Sequence, residues 1–223
     1  MKFRHEWKHE INQADLYILR QRLGLVAEPD IHATDGRYEV RSLYFDTPED
    51  KVLREKLDGV NPREKFRLRC YNGSASRICL EKKSKYNGLC AKQSTELNKE
   101  ETQAIVQGKY DWMYQDDRGL VGELYRKITL QGLQPKTIVD YTREAFVYAP
   151  GNVRVTLDYN IRTGLFCTSF LDPSCITIPA GNAPVILEVK WDEYLPDIIR
   201  DAVQLQGRRT SSYSKYAACR IYG

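Results

Sequence analysis

The sequence has 223 residues, of which 34 are lysine or arginine and 30 are aspartate or glutamate, giving a net charge of +4. This mild charge excludes the overall basicity of a protein that binds nucleic acid without sequence preference. No apolar run approaches the roughly 18 residues of a membrane-spanning helix, and residues 1–11 lack the apolar core of a signal peptide. We expect a cytoplasmic protein with no membrane span, folded as a single domain over residues 1–223.

The cysteines show no pattern of a metal site. They include no C-x-x-C pair and no Cys/His spacing typical of zinc. Several fall on strand positions, where a thiol packs as a small apolar side chain, and a reducing cytosol keeps it free. These expectations apply to Cys70, Cys79, Cys90, Cys167, Cys175 and Cys219.

The first predicted elements are a strand and a helix. Phe3–Ile11 alternates between charged and mostly aromatic or apolar residues, which is typical of a strand. Asn12 then has the chemistry of a helix N-cap, with Asp15 three residues later. We expect this helix to end at Gly24.

A second strand and helix follow. Arg37–Asp46 is rich in aromatic and β-branched residues, which favours a strand. Thr47 is a suitable N-cap before Pro48 at the first helical position, and Gly59 is a suitable end. The expected helix runs to about Leu57.

Residues 63–85 form the stretch around which the chain is organised. They alternate as two strands joined by a turn at Tyr71, Asn72 and Gly73. One face is mostly apolar and can pack on a core, while the other carries a column of cations with one carboxylate. The charged face comprises Lys65, Arg67, Arg69, Arg77, Glu81, Lys83 and Lys85, with Cys79 among them.

The remaining chain is predicted to be helical first and then mostly extended. Two helices are expected over residues 100–107 and 118–130. Three strands are expected over residues 137–148, 152–162 and 184–191. Two final helices are expected over residues 198–206 and from Ser211 or Ser212 onward. In the strand over 152–162, Arg154, Asp158 and Arg162 are expected to share one face.

About six strands thus have one apolar face and one face that pairs a cation with an acid or another cation. A single charged face is ordinarily solvated. Its repetition predicts an α+β fold in which a closed antiparallel β-barrel has helices packed outside and a charged interior. Such an interior requires water, ion pairing or a polyanionic ligand.

The residue types of this interior suit phosphate chains. Arginine matches phosphate oxygens with two parallel hydrogen bonds, and lysine adds a point charge. The few carboxylates are suitable ligands for Mn²⁺ or Mg²⁺, which bridges phosphate oxygens. The sequence has no Walker-A loop and no G-x-G-x-x-G motif, so the standard nucleotide-binding folds are not indicated.

Several motifs, in their order and spacing, carry a family resemblance over nearly the whole chain. They are RHEWKHEI, VRSLYFDTPED, REKFRLRCYN, CLEKKSK, DYTREAFVY, VRVTLDYNIR, ILEVKW and SSYSKY. With them the chain resembles the VTC domain (vacuolar transporter chaperone, polyphosphate polymerase domain) of the triphosphate tunnel metalloenzyme superfamily. The resemblance implies a tunnel of about eight strands, and a metal-dependent enzyme that transfers the terminal phosphoryl of ATP to inorganic polyphosphate and releases ADP.

The resemblance also implies roles for single residues. Glu188 falls on the position of a metal-binding glutamate. The cations that fall on catalytic positions are Lys8, Arg67, Arg69, Lys83, Arg143, Arg154 and Lys215. Tyr141 and Lys190 fall on substrate-binding positions. Glu6, Lys65, Glu81 and Asp158 share the charged strand faces and are expected to bind substrate as well.

The sister branch of the superfamily, the CYTH-type triphosphatases and adenylate cyclases, begins with E-x-E-x-K, and here Arg4 stands at the first glutamate. This difference removes one carboxylate from the metal side and adds a cation, which favours binding of chain phosphates over metal-activated attack by water. Two alternatives stay open. One is a metal-dependent triphosphatase acting on nucleotides or inorganic triphosphate. The other is a non-catalytic module that binds polyphosphate or nucleotide.

Overall fold

A computed structural model describes residues 3–33 and 35–221. The strands in these residues are β1 (Phe3–Ile11), β2 (Glu28–Pro29), β3 (Arg37–Asp46), β4 (Arg63–Tyr71), β5 (Ser74–Tyr86), β6 (Leu89–Leu97), β7 (Gln134–Tyr148), β8 (Val153–Thr163), β9 (Ile178–Pro179) and β10 (Val185–Trp191). The α-helices are α1 (Gln13–Val26), α2 (Lys51–Leu57), α3 (Lys99–Val106), α4 (Gly119–Gln131), α5 (Asp197–Val203) and α6 (Lys215–Ile221), and short 3-10 helices lie at Asp111–Gln115 and Pro150–Asn152.

Eight of these strands form a closed antiparallel barrel. Their order is β7-β3-β4-β5-β6-β1-β10-β8, and pairing of β8 with β7 closes the ring. The two-residue strands β2 and β9 extend the sheet beside β7 and β8. The predicted barrel is confirmed, and alternate residues of every barrel strand therefore face a common interior.

The outer faces of the barrel are apolar and lie under helices. Helices α1 and α5 cover β8 and β10, where Leu19 and Leu23 are fully buried with Val155. Helices α3 and α4 cover β4 and β5, where Leu124 packs with Leu80. Full burial of each such side chain stabilises the fold by about 1.5–3 kcal/mol. Within the described residues, no helix combines the length and apolar character that crossing a membrane requires.

Helix α6 differs from the others because it packs on residues that point into the barrel. Its Tyr216 and Cys219 are buried with Val139, Ile161 and Ile186, which lie on the inner faces of β7, β8 and β10. The helix therefore fills part of the barrel interior, and its first residue, Lys215, lies beside the part of the interior that stays open.

The first helix begins as predicted and ends later. The Asp15 N–H donates to the Asn12 side chain at 2.9 Å, and the Asn12 N–H donates to the Asp15 carboxylate at 3.1 Å. This reciprocal capping box confirms the predicted start. The predicted end at Gly24 is wrong, because the helix continues to Val26.

The predicted start of the second helix at Pro48 is also wrong. Helix α2 begins at Lys51, whose N–H donates to the Thr47 hydroxyl at 3.2 Å, and the buried carboxylate of Asp46 adds further capping bonds. Asp46 accepts three backbone N–H groups at 2.7 to 3.0 Å, from Thr47, Val52 and Leu53.

The C-terminal helices are shorter than predicted. Helix α5 ends at Val203, and α6 begins at Lys215. The connecting chain passes beside β1, where the Ser211 N–H donates to the Lys8 carbonyl at 2.7 Å. This pairing with a strand prevents Ser211 from starting the helix.

Two features of the sheet were not predicted. Strand β6 pairs along its length with β5, although its sequence has only a weak apolar alternation. In β8, Asn160 has a left-handed backbone with φ of 51°, and the register with β7 shifts beside it. Arg162 therefore points outward and donates to Thr177, so the prediction that it shares a face with Arg154 is wrong.

Candidate active site

The barrel interior holds a cavity of about 400 Å³. Thirteen of the fourteen site residues predicted from the sequence line it: Glu6, Lys8, Lys65, Arg67, Arg69, Glu81, Lys83, Tyr141, Arg143, Arg154, Glu188, Lys190 and Lys215. Asp158, the fourteenth, is fully buried behind the wall. The structure therefore brings residues from six strands and from α6 into one charged space.

Two carboxylates and three lysines form the first cluster of this space. Antiparallel pairing of β1 with β10 places Lys8 opposite Glu188 and Glu6 opposite Lys190. Lys8 contacts both carboxylates, at 3.1 Å from Glu188, and Lys190 also contacts both. Lys83 reaches Glu6 from β5 at 2.9 Å.

The lysines set the charge of these carboxylates. Burial and the neighbouring Glu188 both raise the pKa of Glu6, but Lys83, Lys8 and Lys190 outweigh them and lower it to about 2. Burial likewise opposes the charged form of Glu188, yet the surrounding lysines hold its pKa well below the ordinary value. Both carboxylates are thus ionised at neutral pH.

This cluster is the place where the described residues best fit a divalent ion. They contain no group of three or more His, Cys, Asp or Glu side chains arranged around a metal position. Of the carboxylates in the described residues, the adjoining pair of Glu6 and Glu188 is therefore the donor set at this cluster. That donor set fits Mg²⁺ or Mn²⁺ when phosphate oxygens and water complete the coordination.

A wall of arginines faces the cluster from β4. Two Arg67 nitrogens donate to one oxygen of Glu81 at 2.8 and 2.6 Å, and a third donates to the Tyr44 hydroxyl at 2.8 Å. Arg69 donates to the Tyr141 hydroxyl at 3.0 Å. These contacts fix the planes of both guanidinium groups and leave further N–H donors for an anion.

Asp158 holds two further cations from behind. Its oxygens accept from Arg143 at 2.6 and 2.8 Å, and Lys215 of α6 lies 2.6 Å away. The Lys215 ammonium also lies 4.8 Å from the centre of the Tyr141 ring. Burial opposes the charge on Asp158, but Arg143 and Lys215 lower its pKa to about 2. The carboxylate orients a strand residue and a helix residue toward the same space.

Sequence reasoning missed Tyr44, the hydroxyl partner of Arg67. Burial favours its neutral form, but Arg67, Lys65 and Arg69 outweigh this and lower its pKa to about 7. The alternation of β3, which puts Ser42 and Tyr44 on one face, is the signal by which it could have been found. Asp30, which pairs with Arg154 from the short strand region before β3, gave no such signal.

Arg4 does not offer the additional free cation that the sequence suggested. Its guanidinium lies 2.9 Å from Asp192 and donates to the Asn152 carbonyl. This residue is thus neutralised at the edge of the cavity.

The cavity continues into a second space of about 360 Å³, which we call the basic mouth. Lys8, Lys83 and Glu6 of the first cluster reach it, and Glu64 also lines it but pairs with Lys82 and Lys127. Its further cations are Lys56, Arg63, Lys65 and Lys85, with hydroxyls from Ser211 and Ser212 beside them. In the part of the chain that the structure describes, none of these four cations forms an ion pair with a carboxylate. Burial lowers the pKa of Lys56, and the nearby charges of Arg63, Lys85 and Lys8 lower it further. The cations of this mouth therefore repel one another.

The opposite end of the interior, the paired mouth, has a space of about 380 Å³ with balanced charge. Its cations each have a carboxylate partner. The pairs are Arg77 with Glu96 at 2.9 Å, Lys92 with Glu81 at 3.0 Å, and Arg154 with Asp30. The interior is therefore electrostatically asymmetric along its length.

Two lysines of the interior should make anion binding depend on pH. Burial lowers the pKa of Lys65 and of Lys190 to about 8, although Tyr44 beside Lys65 and Glu188 beside Lys190 oppose this shift. Both lysines are cationic below this pH and lose their charge above it. We therefore expect the affinity for tripolyphosphate to fall about tenfold or more between pH 7 and pH 9. Each lost charge-assisted hydrogen bond contributes about 1.5–3 kcal/mol to binding. Calorimetric titration across this range measures the change.

The matched control for this pH dependence is Lys65→Arg, because arginine stays charged throughout the range. The ionisation of the ligand is the same for both proteins, so the difference between the two profiles reports on Lys65. Parallel profiles would show that Lys65 does not titrate in this range.

Comparison with known proteins agrees with this fold. The family model of the VTC domain matches residues 3–221. The PH1012 protein of Pyrococcus horikoshii OT3 has a similar fold at 15% identity, with a TM-score of 0.51, over 95% of this chain and 96% of that one. A Bacillus halodurans protein described as a candidate adenylate cyclase gives 14% identity and a TM-score of 0.52 over 85% of this chain and 80% of its own. No curated protein matches significantly. The match over nearly the whole described chain shows that the protein belongs to the VTC domain family.

Proposed function

We propose that this chain works as a single catalytic domain, a metal-dependent polyphosphate polymerase that transfers the terminal phosphoryl of ATP to inorganic polyphosphate. One observation carries the proposal. Lys65, which lines both the central cavity and the basic mouth, continues into Lys56, Arg63 and Lys85, and no described carboxylate neutralises these four cations. This space and charge extend beyond what a triphosphate alone occupies, and they suit a longer phosphate chain.

In this proposal the central residues bind the reacting phosphates. Arg67 and Arg69 present guanidinium planes that Glu81 and Tyr141 hold in place. Lys8 and Lys83 add charge from the neighbouring strands. Because phosphoryl transfer requires mainly positioning and electrostatic stabilisation, this rigid set of donors is the main contribution of the protein.

The bond changes in the transfer are simple. A terminal oxygen of the polyphosphate chain bonds to the γ-phosphorus of ATP, the bond from that phosphorus to the β–γ bridging oxygen breaks, and ADP leaves. Glu188, with Glu6 beside it, would hold Mn²⁺ or Mg²⁺, which when bound neutralises phosphate oxygens. Asp158 keeps Arg143 and Lys215 directed at the same phosphates.

A second candidate function is a metal-dependent triphosphatase. The observation that favours it is the adjoining pair of Glu6 and Glu188, because two carboxylates can hold an ion that activates a water molecule. This reaction would use the same cavity but no chain acceptor. The two candidates therefore differ in their products.

The products of ATP decide between these functions. The purified chain is incubated with ATP and Mn²⁺, polyphosphate is resolved on a gel, and ADP and free phosphate are assayed. We expect a polyphosphate ladder with a matching amount of ADP. Free phosphate without a ladder would mean a triphosphatase, and bound ATP or polyphosphate without any product would mean a binding module.

The basic mouth should select for long chains. We expect the triple substitution Lys56→Gln, Arg63→Gln and Lys85→Gln to lower affinity for long polyphosphate about tenfold or more and leave tripolyphosphate affinity within about twofold. The triple variant should also reduce the slope of log affinity against log salt by about 2, because each phosphate contact releases a fraction of a counterion. Competition binding at several salt concentrations measures both quantities.

The control for this prediction lies at the paired mouth. Arg77→Gln removes an exposed cation that the carboxylate of Glu96 already neutralises. This control should change long-chain affinity much less. Equal losses in both variants would contradict the assignment of the chain to the basic mouth.

A further inference from the structure

Two cysteines lie together outside the barrel interior. The connection from β8 to β9, residues 164–177, has neither helix nor strand. Within it the Sγ atoms of Cys167 and Cys175 are 2.7 Å apart, and both residues are half-buried. A small movement would bring the sulfurs to the bond distance of about 2.05 Å.

The local backbone sets this approach. The Cys167 N–H donates to the Gly164 carbonyl at 2.8 Å, and the Cys175 N–H donates to the Asp172 carbonyl at 3.2 Å. Between these two turns, Phe170 is fully buried in the outer core and anchors the segment. The sulfurs are thus held together by two turns and a buried anchor.

The surroundings of the pair favour a thiolate on one sulfur. Burial opposes charge on Cys167, but hydrogen bonds from Cys175 and Ser169 and the nearby Arg41 lower its pKa. Burial and the hydrogen bond with Cys167 raise the pKa of Cys175 to about 12. Arg41 is itself fixed by Asp140 at 2.9 to 3.0 Å. Cys167 is therefore the attacking sulfur, and Cys175 is the second sulfur.

We propose that Cys167 and Cys175 are a thiol–disulfide exchange site whose substrate class is the low-molecular-weight disulfide, such as oxidised glutathione. The Cys167 thiolate attacks one sulfur of that disulfide and releases one glutathione thiolate. The Cys175 thiol then loses its proton, and its sulfur displaces the second glutathione from Cys167. The protein loses two hydrogens, and one oxidised glutathione becomes two reduced molecules.

The disulfide would fasten the segment on which other contacts depend. The Asp172 carbonyl accepts from Arg41 at 2.9 Å, and Thr177 accepts from Arg162. A short ring closed by a disulfide restricts the unfolded chain, which raises stability. This site is separate from the phosphate cavity and does not depend on the proposed polymerase activity.

The test exposes the purified full chain to buffers of graded ratios of reduced to oxidised glutathione. After acid quenching, free thiols are alkylated and peptides are mapped by mass spectrometry. We expect an intramolecular Cys167–Cys175 disulfide, removed by dithiothreitol, and a Tm that is several degrees higher in the oxidised protein. Cys175→Ser should instead accumulate glutathione on Cys167.

The control is Cys79→Ser, which alters a half-buried cysteine elsewhere on the barrel and should leave the disulfide and the Tm difference intact. Alkylation of both Cys167 and Cys175 at the most oxidising ratio would overturn the proposal. Glutathione on either residue of the unsubstituted protein, without the intramolecular bond, would overturn it as well.

Discussion

Asp158→Asn should destabilise the ligand-free protein by about 3–5 kcal/mol, because it leaves two buried cations without their counter-charge. Asp158 is fully buried, and it accepts from Arg143 and pairs with Lys215. Asparagine has nearly the same shape, so the loss reflects charge and not volume. For a chain of this length the change corresponds to a decrease in Tm of roughly 10 °C.

The same substitution should increase the stabilisation by a phosphate ligand. With Asp158 neutral, Arg143 and Lys215 are free to pair with an anion, so tripolyphosphate should raise the Tm of the variant more than that of the unsubstituted protein. Thermal unfolding with and without tripolyphosphate measures both effects. A variant that loses stability but gains nothing from the ligand would show that these two cations do not bind phosphate.

A matched control uses the outward-facing carboxylate of the same strand pair. Asp140 holds Arg41 in a two-bond pair at 2.9 and 3.0 Å, but both side chains are in partial contact with solvent. Asp140→Asn should therefore cost no more than about 1 kcal/mol and should not alter the ligand response. Equal losses of stability at the two positions would mean that the buried ion pairs inside the barrel stabilise the protein no more than the partly exposed pair outside it.

Strand alternation explains how much of the site could be predicted from the sequence. Side chains on a strand alternate with period two whatever the fold, so Lys65, Arg67 and Arg69 share a face as soon as β4 exists. The face of each strand could be assigned without coordinates because only the backbone period decides it. Which strands pair, and in which register, as for Lys8 opposite Glu188, was not predicted and is seen only in the structure.

The features of the site that the sequence did not predict correctly, or did not predict at all, have local or tertiary causes. Arg162 turned outward because Asn160 adopts a left-handed backbone that interrupts the alternation. Lys56 reaches the basic mouth from α2, and no periodic pattern relates a helix residue to the interior of a barrel. The partner of each cation is likewise a tertiary fact, so the bond between Glu81 and Arg67 could not be read from the sequence, and substrate binding by Glu81 stays a prediction.

Glu188→Gln should lower metal-dependent turnover of ATP by about 100-fold or more while the fold persists. Glutamine keeps the size and one carbonyl oxygen but loses the charge that attracts a hard divalent ion. Glu188 is nearly buried and contacts Lys8 and Lys190. A loss of about 3 kcal/mol in transition-state stabilisation accounts for this factor, since each 1.36 kcal/mol is tenfold.

Binding and turnover should respond in opposite directions to this substitution. Removal of one negative charge leaves Lys8 and Lys190 with less neutralisation, so affinity for tripolyphosphate without metal should be kept or increased. Calorimetry without metal and turnover over a Mn²⁺ titration separate the two effects. A protein that had merely unfolded would lose both, whereas loss of an ion ligand affects only turnover and its dependence on Mn²⁺.

The control for Glu188 is the same substitution on an exposed carboxylate. Glu96 lies on β6 with about two thirds of its side chain exposed and pairs with Arg77. Glu96→Gln should leave turnover within about twofold. If Glu188→Gln also retained turnover within this range, Glu188 would not hold the ion. Because only Glu6 would then remain of the adjoining pair, the proposal of a metal-dependent reaction at this cluster would fall with it.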